Sequence, residues 1–111
     1  MELPLFKLDV NRVLIGNSPV RLLDLENNTI EDKTDELFRA DCFAKVNDEF
    51  VIYGGIYRFF FLNTKTWEKI ECSYSDNSNN KHHINMINDR EFYAYEYNMI
   101  KYRIEGLKSQ Q

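Results

Sequence analysis

The chain has 111 residues, a formal net charge of −4 and an aromatic content of 14%, with seven Tyr and eight Phe. One domain over residues 1–111 with a modest core is expected from that length. The acidic balance argues against nucleic acid as the main partner, because phosphate binding needs a basic footprint.

No apolar run approaches the ~20 residues needed to cross a bilayer. The start of the chain, with Glu2 and Pro4 before any apolar run, lacks the basic n-region of a signal peptide. Cys42 and Cys72 form no CxxC pair and read as reduced, buried thiols. A cytoplasmic protein without membrane contact is expected.

Residues 5–10 alternate apolar and charged, which predicts a first strand with Phe6, Leu8 and Val10 on one face. Asn11 and Arg12 are expected to turn, residues 13–15 to pair back, and residues 16–19, Gly-Asn-Ser-Pro, to turn again. A third strand covers 20–25 and a turn covers 26–28. Residues 31–41 hold few β-formers. That stretch reads either as a short helix near 33–39, capped at Thr34 or Asp35 with Leu37 and Phe38 inward, or as a connecting loop.

The segment 46–70 carries the clearest pattern. Residues 50–53 are a β-rich run, Gly54-Gly55 suits a two-residue hairpin turn, and 56–62 return. Residues 63–66 turn again, and Trp67 opens a further strand. Residues 73–81 are polar and of low complexity, a loop. Residues 84–87 and 92–104 hold the last strands, and 106–111 read as a frayed tail.

The unit repeats. Residues 21–31 match 58–68 without a gap, with Arg, Leu, Thr and Glu recurring and Ile30 standing where Trp67 stands. Residues 13–16 match 51–54, and Val10-Asn11 matches Val46-Asn47. Ile87-Asn88-Asp89 echoes Val46-Asn47-Asp48 in a third copy. The period of about 36 to 42 residues, with several strands per unit, predicts an all-β chain of three antiparallel β-meanders. The units cover about 5–33, 42–72 and 83–108.

The Gly54-Gly55 doublet, the aromatic strand after it and Asn63-Thr64-Lys65-Thr66-Trp67 resemble a kelch-type propeller blade. The resemblance covers about one blade. Gly16 stands alone in the first unit, Glu96 replaces Gly in the third, and the Trp recurs in neither. It implies blade-like sheets. Propellers hold four to eight blades, so three units would form a compact three-repeat structure, a sandwich, or half of a homodimeric six-unit ring.

Catalytic chemistry finds no foothold. His82 and His83 are the only histidines, and adjacent strand residues point to opposite faces, so they do not share a metal. No Gly-x-Ser-x-Gly, HExxH or phosphate-binding loop occurs. A non-enzymatic protein with no cofactor and no metal is expected.

One asymmetry stands out. Residues 24–49 hold nine acids against three bases, a local charge of −6 against −4 for the whole chain. Such a field steers a basic partner. Candidate partner-binding residues are the acids Glu31, Asp32, Asp35, Glu36, Asp48 and Glu49, with Tyr53 and Tyr57 as aromatic anchors. In size, charge and small-repeat β character the chain resembles the immunity proteins of bacterial contact-dependent growth inhibition. That resemblance implies an inhibitor that occludes a basic, nuclease-like toxin domain, acting as a monomer or homodimer. A scaffold built as a homodimeric ring is the alternative.

Overall fold

The computed structural model describes residues 4–17, 19–34, 40–54, 59–71, 83–95 and 99–105. Among them the chain forms eleven strands and no helix. The first sheet is a meander of β1 (Leu5–Lys7), β2 (Arg12–Ile15), β3 (Arg21–Asp24) and β4 (Thr29–Asp32). The middle sheet repeats it with β5 (Cys42–Lys45), β6 (Phe50–Gly54), β7 (Phe59–Asn63) and β8 (Lys69–Glu71). The third has β9 (His83–Met86), β10 (Glu91–Tyr95) and β11 (Met99–Arg103), ordered β11-β10-β9. Every strand pairing is antiparallel.

Several local expectations need correction. No helix occupies the described part of 33–39. Lys33 donates its N–H to the Val20 carbonyl at 2.8 Å, and Thr34 Oγ1 accepts from the Val20 N–H at 2.9 Å, so both residues continue along β3. Residues 35–39 lie outside the described residues. Val10 is 76% exposed in the turn after β1 rather than on its inward face. Gly54 pairs with Phe59, so four residues, 55–58, join β6 to β7 instead of a two-residue turn. The apolar pairs Tyr53–Phe60 and Ile52–Phe61 fix that register from within the strands. Trp67 is not a strand residue; it closes the β7–β8 turn at φ 64°.

The repeat is written in the turns. Leu8, Val46 and Ile87 donate their N–H groups to the carbonyls of Arg12, Phe50 and Glu91 at 2.9, 3.0 and 2.9 Å. Oδ1 of Asp9, Asn47 and Asn88 accepts the N–H two residues further on, at 3.0, 2.8 and 2.8 Å. The carbonyls of Asn11, Glu49 and Arg90 then accept from Leu25, Thr64 and Ile104, just past the third strand of each sheet, at 2.7, 2.7 and 2.6 Å. The third strands of the first two sheets end on Asp24 and Asn63. Their Oδ1 atoms each accept two N–H groups of the next turn. Asn28 and Trp67 close those turns at φ 56° and 64°.

Asp24 therefore matches Asn63, and Leu8-Asp9 matches Val46-Asn47. Both differ by two residues from the pairing that sequence identity suggests. In the third sheet Arg103 takes the place of Asp24 and Asn63. It offers no side-chain oxygen to nucleate the turn, and no fourth strand follows among the described residues.

The middle sheet is covered on both faces. Val51, Tyr53, Phe60 and Leu62 pack against Leu14 and Leu22 of the first sheet. Phe50, Ile52, Phe59 and Phe61 pack against Ile84, Phe92 and Ala94 of the third. This is why β6 and β7 are continuous apolar runs, buried at all five positions each. The first strands of successive sheets adjoin, β1 beside β5 and β5 beside β9.

Candidate functional site

The acidic window does not fold into one stripe. Glu31 and Asp32 are neighbours on β4, the edge strand of the first sheet, and point to opposite faces because strand side chains alternate. Asp48 lies in the turn between β5 and β6, on a different sheet, with its side chain 98% exposed and 3.2 Å from Lys45 Nζ. Glu49 is buried. Its backbone carbonyl accepts from the N–H and Oγ1 of Thr64 at 2.7 and 3.0 Å, a structural link between two turns.

Tyr53 is 1% exposed and stacks on Phe60 with ring centroids 5.3 Å apart, so it is a core residue and presents nothing to a partner. Asp35, Glu36 and Tyr57 lie outside the described residues. Of the described candidates, Glu31 and Asp32 adjoin on one exposed strand.

Those two sit on a strand that is exposed at all four positions. Glu31 pairs with Lys33 Nζ at 2.8 Å and Asp32 with Arg21 Nε at 3.3 Å, their side chains 60% and 62% exposed. The Arg21–Asp32 pair, exposed on both sides, contributes about 0–1 kcal/mol, so exchanging its cation for another costs little, whereas the Lys33 side chain is only 16% exposed and its Nζ also lies 4.8 Å over the Trp67 ring. The Lys33 N–H is turned toward Val20. The alternation of an antiparallel ladder therefore turns the N–H and C=O of Ile30 and Asp32 away from β3.

A shallow cleft of about 250 Å³ lies at the turns of the first sheet, lined by Asp9, Asn11, Arg12, Asp24 and Glu26. Its carboxylates are engaged in structure. The Arg12 side chain and the Asn11 N–H hold the Asp9 carboxyl below its usual range. The Asn27 side chain and the Asn27 and Glu26 N–H groups do the same for Asp24. Both stay ionised and are poor general bases near neutrality.

Among the described residues, nucleophilic and metal chemistry gain nothing from the fold. Cys42 forms no disulfide, and burial pushes its thiol up to about 12, so it carries almost no thiolate at neutral pH. His83 is exposed on β9, and His82 and Cys72 lie outside the described residues. Among the described residues, no three His, Cys, Asp or Glu side chains converge on a point where a metal ion could sit, and no helix is long and apolar enough to cross a membrane. No known protein family, curated protein or solved structure matches the chain.

One feature escaped the sequence reading: the outward face of the first sheet. Leu5, Val13, Ile15, Leu23 and Ile30 share that face by register with the charged Lys7, Arg21 and Asp32, and neither core cluster includes them. Leu5 is 67% and Ile30 62% exposed. The signal was present in the unbroken runs Val13-Leu14-Ile15 and Leu22-Leu23. Such runs, like those of the middle sheet, mark strands with two faces to cover.

Proposed function

We propose that the chain is a non-enzymatic, protein-binding inhibitor, an immunity protein that occludes a basic toxin domain with the outer edge of its first sheet. The observation that supports this most is β4, exposed along its whole length with two adjacent carboxylates and outward-turned backbone groups. A nuclease-like partner is basic because its substrate is polyanionic. Its Lys and Arg side chains pair with the exposed Glu31 and Asp32 carboxylates, displacing Arg21 from Asp32, while Ile30, on the Asp32 face, supplies apolar contact. Inhibition is then steric, and charge complementarity sets the association rate.

The test begins with purification of the chain from its host and identification of a stoichiometric, basic, toxic partner. Association of the purified pair is then followed by stopped flow for the wild type and for Glu31→Lys/Asp32→Lys. The double variant should associate at least about ten times more slowly at low salt, with the difference shrinking as salt rises. Its Tm should remain near that of the wild type. Equal association rates at low salt would remove β4 from the interface.

A further inference from the structure

We infer that β4 takes up an extended, basic segment of the partner protein as a further, antiparallel strand of the first sheet. The inference rests on the inhibitor reading for the nature of the partner and adds how that partner is held. The first sheet ends on β4. Thr29, Glu31 and Lys33 turn their backbone groups toward Asp24, Leu22 and Val20, so those of Ile30 and Asp32 point off the sheet. Two N–H donors and two C=O acceptors are thus spaced as an added strand requires.

Comparison with the outer edges of the other sheets singles out β4. By the same alternation, β8 turns out the backbone groups of Lys69 and Glu71, and β11 those of Met99, Lys101 and Arg103. Charged side chains on an edge, lysine above all, are how sheets resist pairing with a stray strand. Lys69 stands at the ladder position where β4 has Ile30. Lys33, next to β4, gives no such guard, because its side chain is folded back onto Glu31 and the Trp67 ring. Among the described residues, β4 is therefore the outer edge whose outward-turned positions carry no cation.

Charge decides what kind of strand fits. A second β4 does not. Antiparallel pairing that uses both Ile30 and Asp32 sets Glu31 directly on Glu31 of the other copy, and like charges placed opposite each other destabilise. A basic strand suits the edge. In that register the residues facing Asp32 and Glu31 are Lys or Arg, and the one facing Ile30 is β-branched. The cation facing Asp32 takes over from Arg21, whose pair with Asp32 is exposed. Ile30 and Asp32 lie on one face of the strand and Glu31 on the other, so the added strand is held on both of its faces.

The probe is a synthetic peptide with blocked ends, Lys-Val-Lys-Lys-Val-Thr. Its third and fourth residues face Asp32 and Glu31, and its fifth faces Ile30. A twin carries a methyl group on the backbone nitrogen of the third residue. The twin has the same charge but cannot donate to the Asp32 carbonyl. Nuclear magnetic resonance of the isotope-labelled full chain follows both. The peptide should bind saturably below about 5 mM, shift the Ile30 and Asp32 amides, and bring one of its Hα protons within nuclear Overhauser reach of Glu31 Hα. The twin should bind at least about ten times more weakly. Ile30→Pro removes an outward N–H, a substitution that a sheet edge tolerates, so it should keep the wild-type Tm and lose the peptide. The twin decides the matter if that variant does not fold. Equal binding of the two peptides would overturn strand addition and leave the inhibitor reading with side-chain contacts alone. Absence of binding up to about 5 mM would overturn it as well. So would shifts of the Ile30 and Asp32 amides that grow with chain concentration alone, which would give the edge to a second copy. Because the peptide is not a toxin, these results stand apart from the association rates that test the inhibitor reading itself.

Discussion

Gly16 is a residue whose identity the fold constrains tightly. Its N–H donates to the Pro4 carbonyl at 2.7 Å, and the next residue, Asn17, exchanges backbone hydrogen bonds with Ala40 at 2.8 and 3.1 Å. The chain before β5 therefore crosses directly over the end of β2. A Cβ at position 16 would stand 2.7 Å from the Ala40 carbonyl oxygen and 2.8 Å from Pro4 Cγ. The carbonyl cannot rotate away without breaking its bond to Asn17. Gly16→Ala should cost about 2–3 kcal/mol, as overpacking against backbone does. That lowers Tm by roughly 10 °C or more in a domain of this size, and an unchanged thermal midpoint would show that the crossing yields. The same scale explains what the sequence could and could not say about the binding residues. Charge is legible in a sequence; the face a residue takes is not. Glu49 reads as one of nine acids, yet its backbone is needed to join two turns and its side chain is buried. Tyr53 reads as an anchor beside a hairpin, yet it lies between Phe43 and Phe60, 6.0 and 5.3 Å from their ring centroids.

At the scale of the element, the turns hold the repeat in register. Asp9 and Asp24 each accept a neighbouring backbone N–H and a side-chain donor, Arg12 and Asn27 respectively, in two turns of the first sheet. The bonds favour the ionised form and lower both carboxyls from their ordinary 3.8. A carboxyl depressed on folding contributes stability that is complete above its unfolded pKa and is lost as pH falls through the folded value. The loss therefore belongs below about pH 4 for both aspartates. Asp24→Asn keeps an oxygen for the Glu26 and Asn27 N–H groups but cannot titrate. Urea unfolding at a series of pH values should show the variant losing less stability than the wild type between about pH 4 and pH 2. Parallel pH profiles would remove the Asp24 carboxylate from the acid response. These turns also show how legible the repeat was. Three meanders follow from β-rich runs between turn residues, and the run at 13–16 is correctly set against 51–54. The ungapped match of 21–31 to 58–68 is two residues out of step, because it aligns identical letters. The fold conserves the oxygen that starts the turn, Asp24 or Asn63, and the left-handed residue that ends it, Asn28 or Trp67.

In the whole molecule the middle sheet belongs to both cores, and this determines how the protein unfolds. One of its faces supplies Tyr53, Phe60 and Leu62 to the cluster shared with the first sheet. The other supplies Phe59, which meets Phe92 edge-on at 5.1 Å and Tyr102 at 5.1 Å. Loss of the third sheet would open Phe50, Ile52, Phe59 and Phe61 to water at once. Each such side chain is worth about 1.5–3 kcal/mol of burial, a loss comparable to the whole stability of a domain. The sheets therefore cannot melt one at a time. Trp67, the single tryptophan, packs against the cluster of the first and middle sheets, on the far side of β6 and β7 from Phe92. Phe92→Ala should cost about 3–5 kcal/mol. In urea it should shift the transition seen by Trp67 fluorescence by as much as the one seen by far-UV circular dichroism, the two curves staying superimposed. If the fluorescence midpoint holds its wild-type value while an early phase appears in the dichroism, the third sheet unfolds by itself. The middle sheet would then be stable with one face bare.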